Sequence, residues 1–212
     1  STALCTADGD LLAQGPTIPF HLGSVPAALR SVVREYGHDL APGDIYILND
    51  PYDGGTHLPD VTVVVPAFSR GRLVGYSATM CHHQDIGGKA PGSTAPDAVD
   101  LTAEGFRMPL LKLYDRGVRN ETLWTLARAN VRVPAGLEGD LGAQIAAGNT
   151  GAVRLAEVVE EWGFDEIEAA VEALLDYSER LTRAAIESVP DGSYEFADYL
   201  DDDGVTTKPI KI

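Results

Sequence analysis

Hydrophobic residues in the first half of the chain come in short runs separated by turn-forming residues. The runs are rich in β-branched side chains and are bounded by Gly, Pro, Asn and Asp, a pattern typical of strands. A helix is expected among them, because Ser24 has the position of an N-cap, Pro26 falls in a first turn and Gly37 ends the apolar repeat. The expected strands are residues 3–5 and 11–13 on either side of an Asp8-Gly9 turn, and residues 45–48, 61–65 and 73–80.

The second half of the chain has the apolar spacing of helices. Helices are expected at residues 120–131, 137–147, 150–162 and 165–188, followed by a strand at residues 193–200. In the last helix, Asp165 and Glu168 have the spacing of a cap and its capping box. The apolar stripe of this helix is expected to pack in the core or at an interface, and it comprises Ile167, Val171, Leu174, Leu175, Tyr177 and Leu181.

Strands followed by helices predict an α+β fold with mixed or antiparallel strands. On this pattern, residues 1–118 form a strand-rich domain that carries the candidate site, and residues 119–212 form a helical segment with a terminal strand. The alternative is one continuous domain, which a chain of 212 residues can also form.

Charge and cysteine content narrow the functional classes. With 16 basic and 32 acidic residues, the net charge of −16 argues against binding to a nucleic-acid backbone. The sequence has no apolar run approaching the ~20 residues that cross a bilayer and no signal-peptide pattern. Cys5 and Cys81 are the only cysteines, so no disulfide framework is expected. We therefore expect a cytoplasmic protein that binds neither nucleic acid nor membrane.

Three histidines share loops with carboxylates. His57 and Asp60 form a His-x-x-Asp unit, and His82-His83 follows the third long strand. If that strand continues, side-chain alternation places His82 and His83 on opposite faces, so only one of them points easily into a given site. Two imidazoles and a carboxylate suit Mn, Fe or Zn and leave positions open for water or substrate. The alternative is a hydrogen-bonded network of loops without a metal.

Neighbouring residues add candidates for catalysis and substrate binding. Arg107 can bind a carboxylate, although a plain surface arginine is an equally good interpretation. Asp50 and Asp53 are further acidic candidates, whereas His21 and His38 are interpreted as ordinary surface or packed residues. Two glycine pairs flank the histidine loops and can present backbone amides to an oxyanion, with tight turns as the default interpretation. These pairs are Gly54-Gly55 and Gly87-Gly88.

The longest motifs surround the histidines. They are residues 43–60 (GDIYILNDPYDGGTHLPD), 82–88 (HHQDIGG) and 91–93 (PGS), with residues 18–24 (IPFHLGS) before them and 104–109 (EGFRMP) after them. Together these motifs closely resemble the hydantoinase B/oxoprolinase family along nearly the whole chain. Family members are longer, so we expect this chain to correspond to an amino-terminal portion.

The resemblance implies a subunit of a larger enzyme. The family includes ATP-dependent N-methylhydantoinases and 5-oxoprolinases, with acetone and acetophenone carboxylases as relatives. In these enzymes an A-type subunit uses ATP to activate the substrate, which implies a hetero-oligomer with an A-type partner. This agrees with the sequence, which has no recognised phosphate-binding loop. By resemblance, the metal ligands are His57, Asp60 and one of the His82-His83 pair, with His82 favoured. The remaining catalytic candidates are His83, Asp85 and Asp50.

Three functions fit these features. The favoured one is metal-dependent hydrolysis of a cyclic amide, such as a hydantoin or 5-oxoproline, after ATP-dependent activation by the partner. The second is a carboxylase subunit that joins CO₂ to a phosphorylated enol. The third is a non-catalytic module that keeps the fold, which the intact histidine loops oppose.

Overall fold

A seven-stranded antiparallel sheet is the larger of the two sheets in the described part of the structure. The computed structural model describes residues 1–16, 18–202 and 208–212, without the side chain of Leu22. Its strands are β1 (Thr2–Cys5), β2 (Leu11–Gln14), β3 (Ile45–Leu48), β4 (Asp60–Ser69), β5 (Arg72–His82), β6 (Leu111–Asp115), β7 (Val118–Arg119), β8 (Tyr199–Leu200) and β9 (Ile210–Lys211). The first seven form one sheet in the order β2-β1-β5-β4-β3-β6-β7, and β8 pairs with β9.

The described residues contain five α-helices. They are α1 (Pro19–Tyr36), α2 (Leu101–Glu104), α3 (Glu121–Asn130), α4 (Pro134–Trp162) and α5 (Phe164–Glu187), with short 3-10 helices at Pro51–Asp53 and Pro91–Ser93. An antiparallel sheet in the first half and helices in the second confirm the predicted α+β class. None of the helices within the described ranges combines the length and apolar character needed to cross a bilayer.

The central strand β4 is buried on both faces. Val61, Val63 and Val65 pack in a cluster with α3 and α4, whereas Val64 packs in a second cluster with α1. Successive residues of a strand point to opposite faces, so each residue at the end of β4 or β5 belongs to one helical layer or the other. This alternation decides where the side chains of the candidate site lie.

The start of α1 differs from the sequence expectation. The helix begins at Pro19, not after Ser24, and Pro26 lies in its interior. A proline in the first turn has the helical φ already and has no amide hydrogen that needs a partner. The Ser24 hydroxyl donates to the carbonyl of His21 at 2.9 Å, so it bonds within the helix and does not cap it.

Helix α4 is continuous where the sequence predicted two helices. The expected break fell near Gly148, but this glycine is a contact point with the sheet. A Cβ placed there would lie 2.8 Å from Cγ2 of Val65, so the missing side chain lets the helix approach β4 closely. Gly148 therefore allows close packing on the sheet and does not mark the end of a helix.

The last helix also departs from prediction. It begins at Phe164, which places Asp165 within the first turn and not at the cap. No residue of α5 is buried: Leu174 is 43% exposed and Leu181 is 53% exposed, so the expectation that the stripe joins the core is wrong. Its packing at an interface stays a prediction. The strand expected at residues 193–200 is shorter, since only Tyr199–Leu200 pairs.

The chain forms two compact units, Ser1–Val171 and Glu172–Ile212. The seven-stranded sheet and helices α1 to α4 belong to the first unit, and the β8–β9 pair belongs to the second. Every candidate site residue lies in the first unit.

Candidate metal centre

Two strand ends and one loop bring His57, Asp60 and His82 together. Asp60 is the first residue of β4 and His82 is the last residue of β5, and the two are directly paired across the sheet. His57 lies in the loop before β4, with its Nε2 atom 3.1 Å from Oδ2 of Asp60. One potential ligand atom from each residue lies within 4.8 Å of the other two. The structure therefore groups the three residues that the sequence proposed as metal ligands.

The loop that carries His57 is held by hydrogen bonds at both ends. The amide of Asp60 donates to the carbonyl of His57 at 3.0 Å, which closes a tight turn through Pro59. The side chain of Asn49 donates to the carbonyl of Leu58 at 2.8 Å. Pro59 favours this bend over a regular helix. As a result, the His57 ring turns back toward the start of β4.

Asp60 is a buried carboxylate with one free oxygen. Its Oδ2 atom accepts a hydrogen bond from Thr56 Oγ1 at 2.7 Å and lies 3.1 Å from His21 Nε2. Its Oδ1 atom is buried and has no hydrogen-bond partner among the described residues. Burial alone would raise the pKa of this carboxyl, but the hydrogen bond from Thr56 and the nearby His57 and His21 rings outweigh burial and hold the pKa below its usual value.

The site therefore fits a cation. A buried anionic oxygen without a partner is costly, and a bound cation removes that cost. His57 is 46% exposed and His82 is exposed, so water or a substrate can reach the ligand atoms. The two imidazoles and the carboxylate are a ligand set used for Zn, Mn and Fe.

The adjacent histidines point to opposite faces of the sheet, as strand alternation predicted. His82 faces the α1 side, next to Asp60. His83 is 1% exposed on the α4 side, where its Nε2 atom lies 2.9 Å from Oε1 of Gln144. Burial lowers the pKa of His83, against the effect of the hydrogen bond with Gln144. His83 thus lies outside the group of three, and its catalytic role stays a prediction.

Asp50 is paired with Arg107. Its Oδ2 atom accepts a hydrogen bond from Arg107 Nε at 2.7 Å, and its Oδ1 atom accepts from the amide of Tyr52 at 3.1 Å. The guanidinium predicted to bind a substrate carboxylate thus already binds a carboxylate of the protein. The catalytic role of Asp50 and the substrate role of Arg107 stay predictions.

Asp85 organises the loop after β5. Its Oδ1 atom accepts hydrogen bonds from the amides of Gly87 and Arg132, and its Oδ2 atom accepts from the amide of Gly92 and the Arg132 guanidinium. Burial would raise its pKa, but the bonds from Arg132, Gly87 and Gly92 outweigh burial and lower it. In the structure Asp85 holds its own loop in place through these hydrogen bonds. Its catalytic role stays a prediction.

The glycine pairs meet structural demands. Gly54 has φ of 97°, and a Cβ there would lie 2.6 Å from the amide nitrogen of Ala28 in α1. Gly87 has φ of 91°, and a Cβ there would lie 2.4 Å from the carbonyl oxygen of Asn130. Positive φ and close backbone contact both require glycine. These requirements explain why glycine stands at positions 54 and 87, with no need to invoke a bound substrate.

Some amides of the glycine pairs are already engaged. Gly55 donates to the carbonyl of Asp50 at 2.8 Å, and Gly87 donates to Asp85. Gly88 and Arg107 line one cavity of about 330 Å³, together with Phe106 and Asn130. Two of the residues predicted to bind substrate are therefore close to one another, and their role stays a prediction.

Comparison with known proteins identifies the family. The family model described as hydantoinase B/oxoprolinase matches residues 1–212. The chain belongs to this family. It is 40% identical over 202 residues to the B-type subunit of a putative D-/L-hydantoinase from Pseudomonas sp. (strain NS671), covering 92% of this chain and 34% of the relative.

Solved structures agree with this family assignment. The crystal structure of ATP-dependent caprolactamase from Pseudomonas jessenii matches with a TM-score of 0.89 and 37% identity, over 95% of this chain and 35% of that one. A nucleotide-free structure of acetone carboxylase matches with a TM-score of 0.73 and 26% identity, over 80% of this chain and 22% of that one. This member of the hydantoinase B/oxoprolinase family spans about a third of the length of the hydantoinase and caprolactamase relatives.

Sequence reasoning missed three residues around the centre. His21 was interpreted as an ordinary surface or packed residue; it is packed, but its contact with Asp60 was not predicted. Thr56, which bonds Asp60, had no signal beyond its place in the family motif. Gln144 did have one, because it lies on the apolar face of α4 at helical spacing from Leu137 and Leu141. A polar residue on such a face indicates a specific buried partner.

Proposed function

We propose that this chain forms the metal-bearing part of a B-type subunit that hydrolyses a cyclic amide in an ATP-dependent hydantoinase or 5-oxoprolinase. The main support is the grouping of His57, Asp60 and His82 around a buried carboxylate oxygen that lacks a partner among the described residues. The names of two relatives, a putative hydantoinase and an ATP-dependent caprolactamase, refer to cyclic amides.

In this proposal His57, Asp60 and His82 hold a divalent ion, which is Mn, Zn or Fe. Such an ion polarises a carbonyl oxygen and lowers the pKa of bound water. The residues around the ion hold its ligands in place. Thr56 and His21 fix the Asp60 carboxylate through Oδ2, while the exposed rings of His57 and His82 leave an open side for a substrate.

The catalytic candidates differ in their available atoms. Both carboxylate oxygens of Asp50 and of Asp85 accept hydrogen bonds from protein donors. His83 has a buried ring nitrogen, Nδ1, without a partner among the described residues. Of the three candidates, His83 is therefore the one with an acceptor atom available, and it lies on the α4 side of the sheet, opposite the three ligands.

We place ATP use in an A-type partner within a cytoplasmic hetero-oligomer. The hydantoinase relative is named as one subunit of its enzyme, which supports a complex with further subunits, and the caprolactamase and the acetone carboxylation reaction are both described as ATP-dependent. The match to acetone carboxylase supports carboxylation as a second candidate. Its lower identity, 26% against 37%, favours the amide reaction.

An assay of the complex with its A-type partner distinguishes the two reactions. ATP-dependent product formation should be measured with a hydantoin, with 5-oxoproline and with acetone plus bicarbonate. We expect ring opening of a cyclic amide. Turnover of acetone with neither ring would reject the proposal in favour of carboxylation.

Metal analysis tests the centre itself. We expect His57→Ala to lose bound Zn or Mn relative to the unchanged protein. His38→Ala is the matched control, because His38 is exposed and outside the cluster. Equal metal content in both variants would remove the proposed centre.

A further inference from the structure

Gln144 is a buried amide on a helix face that is otherwise apolar. It lies on α4 and is 5% exposed. Its Nε2 atom donates to the carbonyl of Val61 at 2.8 Å and to that of Thr79 at 3.4 Å. Its Oε1 atom lies 2.9 Å from Nε2 of His83. One side chain thus contacts β4, β5 and the residue after β5.

These contacts determine the orientation of the amide. Backbone carbonyls only accept hydrogen bonds, so the side that faces Val61 and Thr79 must be the NH₂ group. The oxygen of Gln144 then faces His83 and must accept a hydrogen bond from it. His83 therefore carries its proton on Nε2, and its Nδ1 atom is an acceptor.

The contacts with Val61 and His83 lie next to the candidate metal ligands in the sequence. Val61 follows Asp60 in β4, and His83 follows His82 at the end of β5. On the other face of the sheet, His21 of α1 contacts the Asp60 carboxylate directly. Asp60 and His82 are therefore held from both helical layers, through their neighbours on one side and through a side chain on the other.

We propose that Gln144 is a positioning residue for the metal centre: its carboxamide fixes the two strand ends that carry Asp60 and His82 and sets the Nε2–H form of His83. The proposal rests on the proposed function, because a positioning role requires the metal centre. Gln144 itself contacts none of the three ligand side chains in the structure.

Residues in the outer shell of a metal site change metal affinity when they are removed. Gln144→Leu removes all three side-chain hydrogen bonds, to Val61, Thr79 and His83, and keeps a similar side-chain volume. We expect it to weaken Zn²⁺ or Mn²⁺ binding on the order of tenfold. Gln144→Glu keeps an acceptor for His83 but has no donor for the Val61 carbonyl, so it should weaken metal binding while His83 keeps its proton on Nε2.

The matched control is Leu141→Ala. Leu141 lies on the same face of α4, is 1% exposed and packs on the same sheet without a polar contact. This variant loses packing, so its melting temperature should fall at least as much as that of Gln144→Leu. Its metal affinity should stay within about twofold of the unchanged protein.

The measurements are metal titration of each folded variant and ¹⁵N NMR of the His83 ring. Wild-type metal affinity in Gln144→Leu, or an equal loss in Leu141→Ala, would overturn the positioning role. An Nε2 atom of His83 without a proton in the unchanged protein would overturn it even if no Gln144 variant folds. If the unchanged protein binds no metal, the proposed centre fails, and the His83 spectrum still decides the orientation of Gln144.

Discussion

Asp85→Asn provides a direct test of what this carboxylate does. Asp85 is buried and accepts four hydrogen bonds from protein donors, two at each oxygen. Asparagine keeps one oxygen, so its NH₂ group must face two of these donors. Hydrogen bonds to a charged acceptor contribute about 1.5–3 kcal/mol each, and breaking a buried charge pair costs about 3–5 kcal/mol. We expect the free energy of unfolding to fall by about 3–5 kcal/mol at pH 7.

The loss should depend on pH in a defined direction. The pKa of Asp85 is lower in the folded protein than its usual value of about 4. Its contribution to stability is therefore fully present above that value and disappears as the pH falls through the folded pKa. The difference in stability between the unchanged protein and Asp85→Asn should shrink as the pH is lowered from about 5 toward 3.

Urea unfolding followed by circular dichroism at several pH values measures both effects. Asp97→Asn is the control, because Asp97 pairs with Lys89 in the same region but its side chain is 81% exposed; no measurable change is expected. If the free energy of unfolding of Asp85→Asn at pH 7 is within about 0.5 kcal/mol of that of the unchanged protein, the structural role is refuted. Lost turnover with intact stability would instead favour the predicted catalytic role.

Three further substitutions test other parts of the structure. Thr56→Val removes the hydrogen bond to Asp60 Oδ2 and should weaken metal binding about tenfold in a titration; unchanged affinity would show that this bond does not order the ligand. Gly54→Ala should destabilise the protein in thermal melts by more than Gly71→Ala, because both glycines have positive φ but only Gly54 lies against backbone; equal losses would refute the packing argument. Asp44→Asn should cost about 3 kcal/mol in urea unfolding, because this fully buried carboxylate accepts from two amides, a tyrosine hydroxyl and a lysine; a loss below about 1 kcal/mol would contradict it.

Five strands of the large sheet, β1 to β5, were predicted from the sequence because their signal is local, whereas β6 and β7 were not predicted. Alternation along β5 was enough to place His82 and His83 on opposite faces, since the period of two is a property of the backbone. The turn that brings His57 to Asp60 is likewise a local feature, because Pro59 lies inside it and disfavours a regular helix. The roles of these residues as ligands stay predictions, which metal analysis tests.

The remaining features depend on contacts far apart in the sequence. His21 reaches Asp60 only because α1 packs across the sheet, and Gln144 reaches Val61 because α4 lies on the other face. Two helices were predicted where α4 is continuous, since the contact of Gly148 with Val65 is not visible in local spacing. Local patterns give the elements, whereas the packing of helices on the sheet determines which polar residues surround the centre.

The direct pairing of Asp60 with His82 makes the centre sensitive to strand register. Side chains alternate along a strand, so a slip of β4 against β5 by one residue would send Asp60 to the α4 face and leave His82 on the α1 face. A ligand that binds only the native arrangement stabilises it by mass action. Metal bound at these three residues would thus favour the correct register over slipped alternatives. Insertion of one residue in the turn between Ser69 and Arg72 should abolish metal binding while the sheet remains folded.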